Sequence, residues 1–281
     1  MSPASVDLVA SSAAGVPDEI RGDWQAYLDR TVRDLWGRSA LPPRDRSLVT
    51  VAALAAARCP TELRAHIQLA LELGLSRLEL CEAMVQVAGY AGVGIGVEGL
   101  HALRAAFDEN TGLGAAPDEV PTGVPGDDRL VRARFIQELM SPEHAATIFE
   151  RLQPYPADVA AAERPPFRAG RTEWLGWLTE TAFGDLWSRP NLTLRQRELV
   201  TATVLIVLGR NPELRGHFGT ALRVGITPEE MSEVIVHLGA YAGFPALVES
   251  MLLFTEVLAE RDDVGTTAAM HADVTTEGTS Q

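Results

Sequence analysis

The chain has 281 residues, and its 24 basic and 38 acidic side chains give a formal net charge of −14 at pH 7. Every basic residue is an arginine, and without lysine the sequence excludes Schiff-base lysine chemistry, a lysine-anchored pyridoxal site and a Walker-type phosphate loop. A chain this acidic is a poor partner for nucleic acid or for an anionic membrane surface.

The sequence contains a tandem repeat. Shifting the chain by 185 − 34 = 151 residues places DLWGRSALPPRDRSLVT on DLWSRPNLTLRQRELVT, and the register holds without a gap from residue 34 to residue 98. Chance similarity does not hold register over such a length, so the pattern indicates a duplication.

Each repeat is expected to be helical. An almost entirely apolar segment (41–58 and 192–209) predicts a helix that is buried on most sides. The next helix ends at Gly74 or Gly225, and a capping-box sequence, Ser76 to Glu79 or Thr227 to Glu230, starts the one after it. No segment alternates with period two, so the predicted fold class is all-α, a duplicated helical unit.

The predicted domain boundaries follow from composition. Residues 127–153 predict two helices broken near Pro142, and the segment that precedes them is rich in Gly, Pro and acidic residues. In chain order we expect a flexible tail (1–17), repeat 1 (18–110), a linker (111–126), repeat 2 (127–261) and a second flexible tail (262–281).

The repeated motifs resemble a known family. WSRPNLTLRQREL, PELRGHFGTALRVGITPEEMSEVI and YAGFPA in repeat 2, with the same order in repeat 1, are similar to the carboxymuconolactone decarboxylase family of the alkylhydroperoxidase D-like superfamily. The resemblance implies that fold in two fused copies, a decarboxylation that needs no cofactor, and ring-like oligomers. We therefore expect a homo-oligomer, a dimer or trimer of fused pairs.

The redox branch of that superfamily carries a Cys-x-x-Cys pair before its histidine. At those two positions repeat 1 has Cys59 and Glu62, and repeat 2 has Arg210 and Glu213. A thiol-dependent peroxidase needs two thiols within bonding reach, so this function is disfavoured. Cys59 as an isolated nucleophile remains a weaker alternative to a packing role.

The candidate catalytic groups are acidic residues around a repeated histidine. Glu213 and His217, like Glu62 and His66, are four residues apart and share a helical face. The resemblance adds Glu198 as an upstream relay carboxylate, which is Ser47 in repeat 1. A carboxylate beside an imidazole orients its proton for general acid–base work, and an ordinary helix-surface pair is the structural alternative. We expect repeat 2 to be catalytic and repeat 1 to supply part of its pocket.

Arginine and aromatic side chains are the candidate substrate-binding groups. A guanidinium at the start of the buried helix can hold a substrate carboxylate, or form a salt bridge to Glu230 or Glu233 instead. Tyrosine at the end of a helix can line the same pocket or simply pack. The candidates are Arg195, Arg197, Arg46, His237, Tyr241 and Tyr90.

Several functions remain open from the sequence. A cofactor-free lyase acting on a small or polycyclic carboxylated enol in secondary metabolism is preferred, and an isomerase, dehydratase or cyclase would use the same groups. A non-catalytic binding protein predicts that His217→Ala has no effect on function. No metal site is expected. Two cysteines and no signal-like N-terminus predict a cytoplasmic location.

Overall fold

The computed structural model describes residues 16–114, 126–142, 145 and 174–276, with side chains as far as residue 261. Every regular element in these ranges is helical, which confirms the all-α prediction. The elements are α1 (Asp18–Trp36), α2 (Pro43–Ala56), α3 (Pro60–Glu72), α4 (Arg77–Ala91), α5 (Val93–Glu109), α6 (Arg129–Met140), the π-helical α7 (Thr179–Leu186), α8 (Leu194–Val207), α9 (Asn211–Arg223), α10 (Pro228–Leu238) and α11 (Phe244–Thr276).

The centre of the molecule is formed by the two apolar helices of the repeats, α2 and α8, which pack against each other. Every residue of α2 from Asp45 to Ala56 is buried, and so is every residue of α8 from Gln196 to Ile206. Their apolar side chains are exchanged between the two halves: Val200 and Val204 join the core of repeat 1, and Val49 joins that of repeat 2. The two repeats therefore share a core.

Both predicted capping boxes are present. The Ser76 hydroxyl accepts from the Glu79 amide at 3.1 Å, and the Glu79 carboxylate accepts from the Ser76 amide at 2.9 Å. Thr227 and Glu230 repeat the pair at the start of α10. These boxes follow glycines at φ +88° and +86°, which end α3 and α9 in the left-handed region that favours glycine.

Two of the described helices, α6 and α11, lie at the predicted ends of repeat 2. α6 ends at Met140, two residues before Pro142, and the second helix expected after it lies outside the described residues. α11 continues to Thr276, beyond residue 261, where a tail was expected to begin. Residues 1–15, 115–125 and 277–281 of the predicted tails and linker also lie outside the described ranges.

Two helices lead into the histidine sites from outside the core. α1 ends at Trp36, and the π-helical turn of α7 ends directly before Trp187, the matching residue of repeat 2. Trp187 is fully buried against Ile136 and Met140 of α6. Because 36 + 151 = 187, the duplication places one tryptophan at the same point of each half.

Candidate functional site

Repeat 2 holds a histidine–glutamate dyad in its core. His217 on α9 approaches Glu198 on α8, and its Nδ1 lies 3.0 Å from Oε1 and 3.1 Å from Oε2. Glu198 is fully buried, whereas the His217 side chain retains 15% of its exposure. Burial raises the pKa of the Glu198 carboxyl, and the neighbouring imidazole opposes that rise. Since the carboxylate holds Nδ1–H, the second ring nitrogen, Nε2, is left for chemistry.

An aromatic pair fixes the ring of His217, and one member comes from repeat 1. The Trp187 ring stacks on the imidazole at 6.0 Å between centroids, and the Tyr90 ring meets it edge-on at 5.4 Å. Trp187 Nε1 donates to the Tyr90 hydroxyl at 2.8 Å. Burial is the main cause that raises the pKa of Tyr90, so the phenol stays protonated near neutral pH. Repeat 1 thus contributes part of the repeat 2 site.

Repeat 1 has the same aromatic frame without the carboxylate. His66 stacks with Trp36 at 6.1 Å and meets Tyr241 of repeat 2 edge-on at 5.8 Å. Trp36 Nε1 donates to the Tyr241 hydroxyl at 3.2 Å. At the position of Glu198, however, repeat 1 has Ser47, and both Ser47 Oγ and His66 Nδ1 are buried without a hydrogen-bond partner. Burial lowers the pKa of His66 to about 4, so its imidazole is neutral at pH 7.

A cavity of about 660 Å³ opens beside His66. Its lining is mainly aromatic and aliphatic, with Glu62 as the charged side chain. The lining residues are Trp24, Tyr27, Leu28, Thr31, Val32, Trp36, Leu54, Cys59, Glu62, His66, Gly239, Ala240, Tyr241, Gly243 and Phe244.

The two predicted same-helix glutamates do not contact their histidines by hydrogen bonds in the described structure. Glu213 is exposed, and Glu198 rather than Glu213 is the partner of His217. Glu62 is exposed too, and it shares the cavity wall with His66. Side chains four residues apart share a face of a helix, but here the bonding partner comes from the neighbouring helix.

His237 contacts Tyr241, with 5.1 Å between the ring centroids, but it does not line the cavity that Tyr241 lines, which corrects the prediction that both line one pocket. It is fully buried, with Nε2 2.7 Å from Thr50 Oγ1 and Nδ1 3.2 Å from Arg46 Nη1. The Thr50 hydroxyl donates to the Arg46 carbonyl oxygen, so His237 Nε2–H donates to Thr50 and Nδ1 accepts from Arg46. This is a neutral ring, and burial followed by the Arg46 charge lowers the pKa of His237. The His237 ring therefore packs behind Trp36 and Tyr241, which line the cavity.

The arginines predicted to bind a substrate carboxylate are already paired. Arg46 is 1% exposed and bonds Glu233 at 2.9 Å, and Arg197 is fully buried and bonds Glu82 at 3.2 Å.

The third of these arginines, Arg195, forms salt bridges to Asp45 and Glu230. The salt bridge to Glu230 is the predicted alternative to substrate binding. Each of these three arginines pairs with a carboxylate of the other repeat. The additional pair of Arg195 with Glu230 lies within repeat 2. These ion pairs join the repeats and leave none of these three guanidinium groups free for a ligand.

Two features of the site escaped the sequence analysis. Trp36 and Trp187 are not among the candidates named from the sequence, yet each stacks on one of the repeated histidines. Arg210 was noted only as the replacement for a redox cysteine. The duplication makes Arg210 the counterpart of Cys59, which lines the cavity of repeat 1. Its side chain is exposed, and no ion pair is formed by it within the described ranges.

The cysteines are separate thiols, because Cys59 and Cys81 are both free. Burial and a neighbouring glutamate raise the pKa of each thiol, which disfavours the reactive thiolate. Among the described residues, no group of three or more His, Cys, Asp or Glu side chains is placed to hold a metal ion. Within the same ranges, no helix is long and apolar enough to cross a membrane.

Comparison with known proteins agrees with the family resemblance of the repeated motifs. The sequence model of the carboxymuconolactone decarboxylase family matches the chain twice, over residues 22–106 and 172–256. The chain is 39% identical over 88 residues to 4-carboxymuconolactone decarboxylase of Acinetobacter baylyi, covering 31% of this chain and 66% of that protein. It is 33% identical over 88 residues to nitrosuccinic acid decarboxylase of Metarhizium robertsii, covering 31% of this chain and 62% of that protein.

The matched segment is slightly less than two thirds of the length of each of these relatives. The two matches of the family model together span more than half of the chain, and each contains one histidine site. The chain belongs to the carboxymuconolactone decarboxylase family, with two copies of the family unit in tandem.

Proposed function

We propose that the protein is a cofactor-independent carbon–carbon lyase of the decarboxylase type, and that His217 and Glu198 are its working acid–base pair. The observation that carries the proposal is the buried Glu198 carboxylate on Nδ1 of a partly exposed imidazole. The names of the two relatives, both decarboxylases, support the reaction class.

The proposed reaction uses the substrate as its own electron acceptor. The bond between the carboxylate carbon and the substrate breaks, CO₂ leaves, and the electron pair enters a conjugated carbonyl or lactone as an enolate. His217 Nε2–H then donates its proton to carbon, and solvent returns a proton to the imidazole. Glu198 keeps the imidazolium oriented and stabilises its charge, so that the net change is a carboxylate and a proton giving CO₂ and a new C–H bond.

We assign carboxylate recognition to Arg210 rather than to the paired arginines Arg46, Arg195 and Arg197. Arg210 is exposed and is the counterpart of a cavity-lining residue of repeat 1, and an exposed guanidinium can bind a carboxylate through two parallel hydrogen bonds. Cys59 at the matching position of repeat 1 offers no such charge. The His66 site also lacks the carboxylate of the dyad, so we place catalysis in repeat 2 alone.

The test is the release of CO₂ from γ-carboxymuconolactone, followed together with the ultraviolet change of the substrate. We compare the wild type with His217→Ala and with the matched variant His66→Ala. Turnover that is lost only in His217→Ala supports the assignment, whereas equal losses in both variants refute the placement in repeat 2. Conversion of the substrate without CO₂ would favour the isomerase, dehydratase or cyclase alternative on the same dyad.

We also propose that the chain forms a homo-oligomer, which is a separate proposal from catalysis. α11 exposes an apolar stripe of residues four apart, Phe244, Val248 and Leu252, with exposures of 67%, 52% and 62%. Such a stripe on a helix is typical of a surface that packs against another helix. Analytical ultracentrifugation at micromolar concentration should give a dimer or trimer, and a stable monomer would refute this. A cytoplasmic setting in secondary metabolism is also part of the proposal.

A further inference from the structure

The cavity beside His66 is a separate site from the proposed catalytic centre. Its lining includes neither His217, Glu198 nor Arg210. A volume of about 660 Å³ is in the range of small-molecule sites, which are commonly lined by apolar and aromatic side chains with a few polar groups. The wall is built by both repeats, since α1 and α3 supply one side and the end of α10 with the start of α11 supply the other.

The charges of this cavity exclude the ligand class proposed for the catalytic site. Among the described residues no arginine lines it, and Glu62 contributes a negative charge to its wall. His66 is neutral at pH 7 because burial lowers its pKa to about 4. A carboxylated molecule entering here would lose its hydration without gaining a cation, which is unfavourable.

The aromatic walls favour a flat ligand. Trp24 and Tyr27 of α1 stack on each other at 5.6 Å, and both line the cavity with Trp36. On the opposite side, Tyr241 and Phe244 present two further rings, and Phe244 is 67% exposed. Aromatic side chains bind planar rings by stacking and edge-on contacts.

The imidazole of His66 is the polar group that such a ligand would meet. His66 is 8% exposed and lines the cavity. Its Nδ1 is fully buried, and the duplication places that atom towards Ser47, the counterpart of Glu198. Nε2 is therefore the ring nitrogen left for the cavity, and no side chain in the described ranges is hydrogen-bonded to it. A polar atom facing an apolar site is unfavourable unless it is paired, so a ligand group that bonds to Nε2 is favoured. A hydroxyl suits either tautomer of a neutral imidazole, because it both donates and accepts.

We propose that the repeat 1 cavity binds a neutral aromatic molecule that carries a hydroxyl group, held between the aromatic walls and hydrogen-bonded to His66, without turnover. The inference goes beyond the proposed function. It assigns a binding site to repeat 1, which lacks the dyad, and this site prefers a neutral ligand to a carboxylate. The differences between the repeats at Ser47 and Glu198, and at Cys59 and Arg210, are what separate the two sites.

The test uses three probes that share one ring system. Isothermal titration calorimetry at pH 7.5 compares 2-naphthol, naphthalene and 2-naphthoate, which differ in the hydroxyl and the carboxylate. The wild type should bind 2-naphthol about fivefold more tightly than naphthalene, as one hydrogen bond to a buried partner implies. 2-Naphthoate should fail to displace 2-naphthol from the cavity.

Variants locate the binding. His66→Phe keeps the ring and removes both nitrogens, so it should bind naphthalene as the wild type does and lose the preference for 2-naphthol. The matched variant His217→Phe should keep that preference. It should also lose CO₂ release, whereas His66→Phe should retain it, which separates failure of this proposal from failure of the proposed function.

Several results would overturn the proposal. They are displacement of 2-naphthol by 2-naphthoate at equal concentration, an unchanged preference in His66→Phe, or loss of the preference in His217→Phe. If the wild type does not bind 2-naphthol and a variant lacking residues 1–15 does, the cavity would instead be assigned to the chain's own N-terminal segment. Binding that weakens as the chain self-associates would assign it to a second copy.

Discussion

The neutral state of buried His66 predicts a measurable acid sensitivity of folding. Its pKa is 6.5 in an unfolded chain and about 4 in the folded protein, where burial penalises the charged ring. Between these values the unfolded state binds a proton that the folded state does not. The stability contributed by the neutral ring is therefore complete above pH 6.5 and is lost as the pH falls towards 4.

The size of the effect follows from the shift. A change from 6.5 to about 4 corresponds to about 3 kcal/mol once both pKa values are passed. About 1 kcal/mol of this is lost between pH 7.5 and pH 5.5. The lower limit of pH 5.5 stays above the isoelectric point near 4.9, where an uncharged chain tends to precipitate.

The charges around His66 do not cancel this contribution. Trp36 and Tyr241, the rings that contact it, are neutral, and Glu62 is exposed at the cavity wall. His237, the nearest buried titratable ring on the other side, is itself neutral and adds a penalty of the same sign. Burial and the Arg46 charge, the two larger causes that lower the pKa of His237, are unchanged in a His66 variant, so most of its share is common to both proteins and is removed by taking the difference.

The assay is urea unfolding of the wild type and His66→Phe at pH 7.5 and pH 5.5, followed by far-ultraviolet circular dichroism. The wild type should lose about 1 kcal/mol more than the variant on acidification. His101→Phe, which removes an exposed imidazole of α5, is the control and should behave as the wild type. Equal losses in the wild type and His66→Phe would refute the reasoning, since His66 would then have no depressed pKa.

Three further predictions test the site and the joint between the repeats. Glu198→Gln should lower kcat for CO₂ release by about 10²-fold or more, because the imidazolium loses its partner; an unchanged kcat would remove Glu198 from the dyad. Arg210→Ala should raise KM about tenfold with kcat nearly kept, and the reverse pattern in steady-state kinetics would count against carboxylate binding there. Glu233→Gln leaves the Arg46 guanidinium buried without its charge partner and should cost about 3–5 kcal/mol in urea unfolding. The control Glu256→Gln, at an exposed pair, should cost less than about 1 kcal/mol, and a small loss for Glu233→Gln would show that the pair does not hold the repeats together.

Much of the fold could be predicted from the sequence because its signals are local. The capping boxes at Ser76 and Thr227, the glycine ends of the preceding helices and the apolar run of α2 depend only on neighbouring residues. The duplication also carried information that one repeat alone would not, since a histidine recurring in register indicates a common site.

The partners across the fold could not be predicted in the same way. The spacing of Glu213 and His217 favoured a same-helix pair, but the bond is made by Glu198 on the adjacent helix. Similarly, Arg197 resembles a free cation at a helix start, whereas packing of α8 on α4 buries it against Glu82. Both outcomes depend on which helices pack together, and helix periodicity does not contain that information.

The exchange of residues between the repeats separates positions that both halves depend on from positions that serve one site. Each histidine is contacted edge-on by a tyrosine of the other repeat. The buried arginines are likewise paired with carboxylates of the other repeat, Arg46 with Glu233 and Arg197 with Glu82. A change at any of these positions weakens both halves, because the partner is left buried and unpaired. A change at a position that faces one site alone does not leave a buried partner unpaired in the other half. Covalent fusion also keeps the two halves together at a high effective concentration. Ser47 against Glu198 and Cys59 against Arg210 are substitutions of this kind, so each half can change its chemistry while the shared core and ion pairs stay common to both.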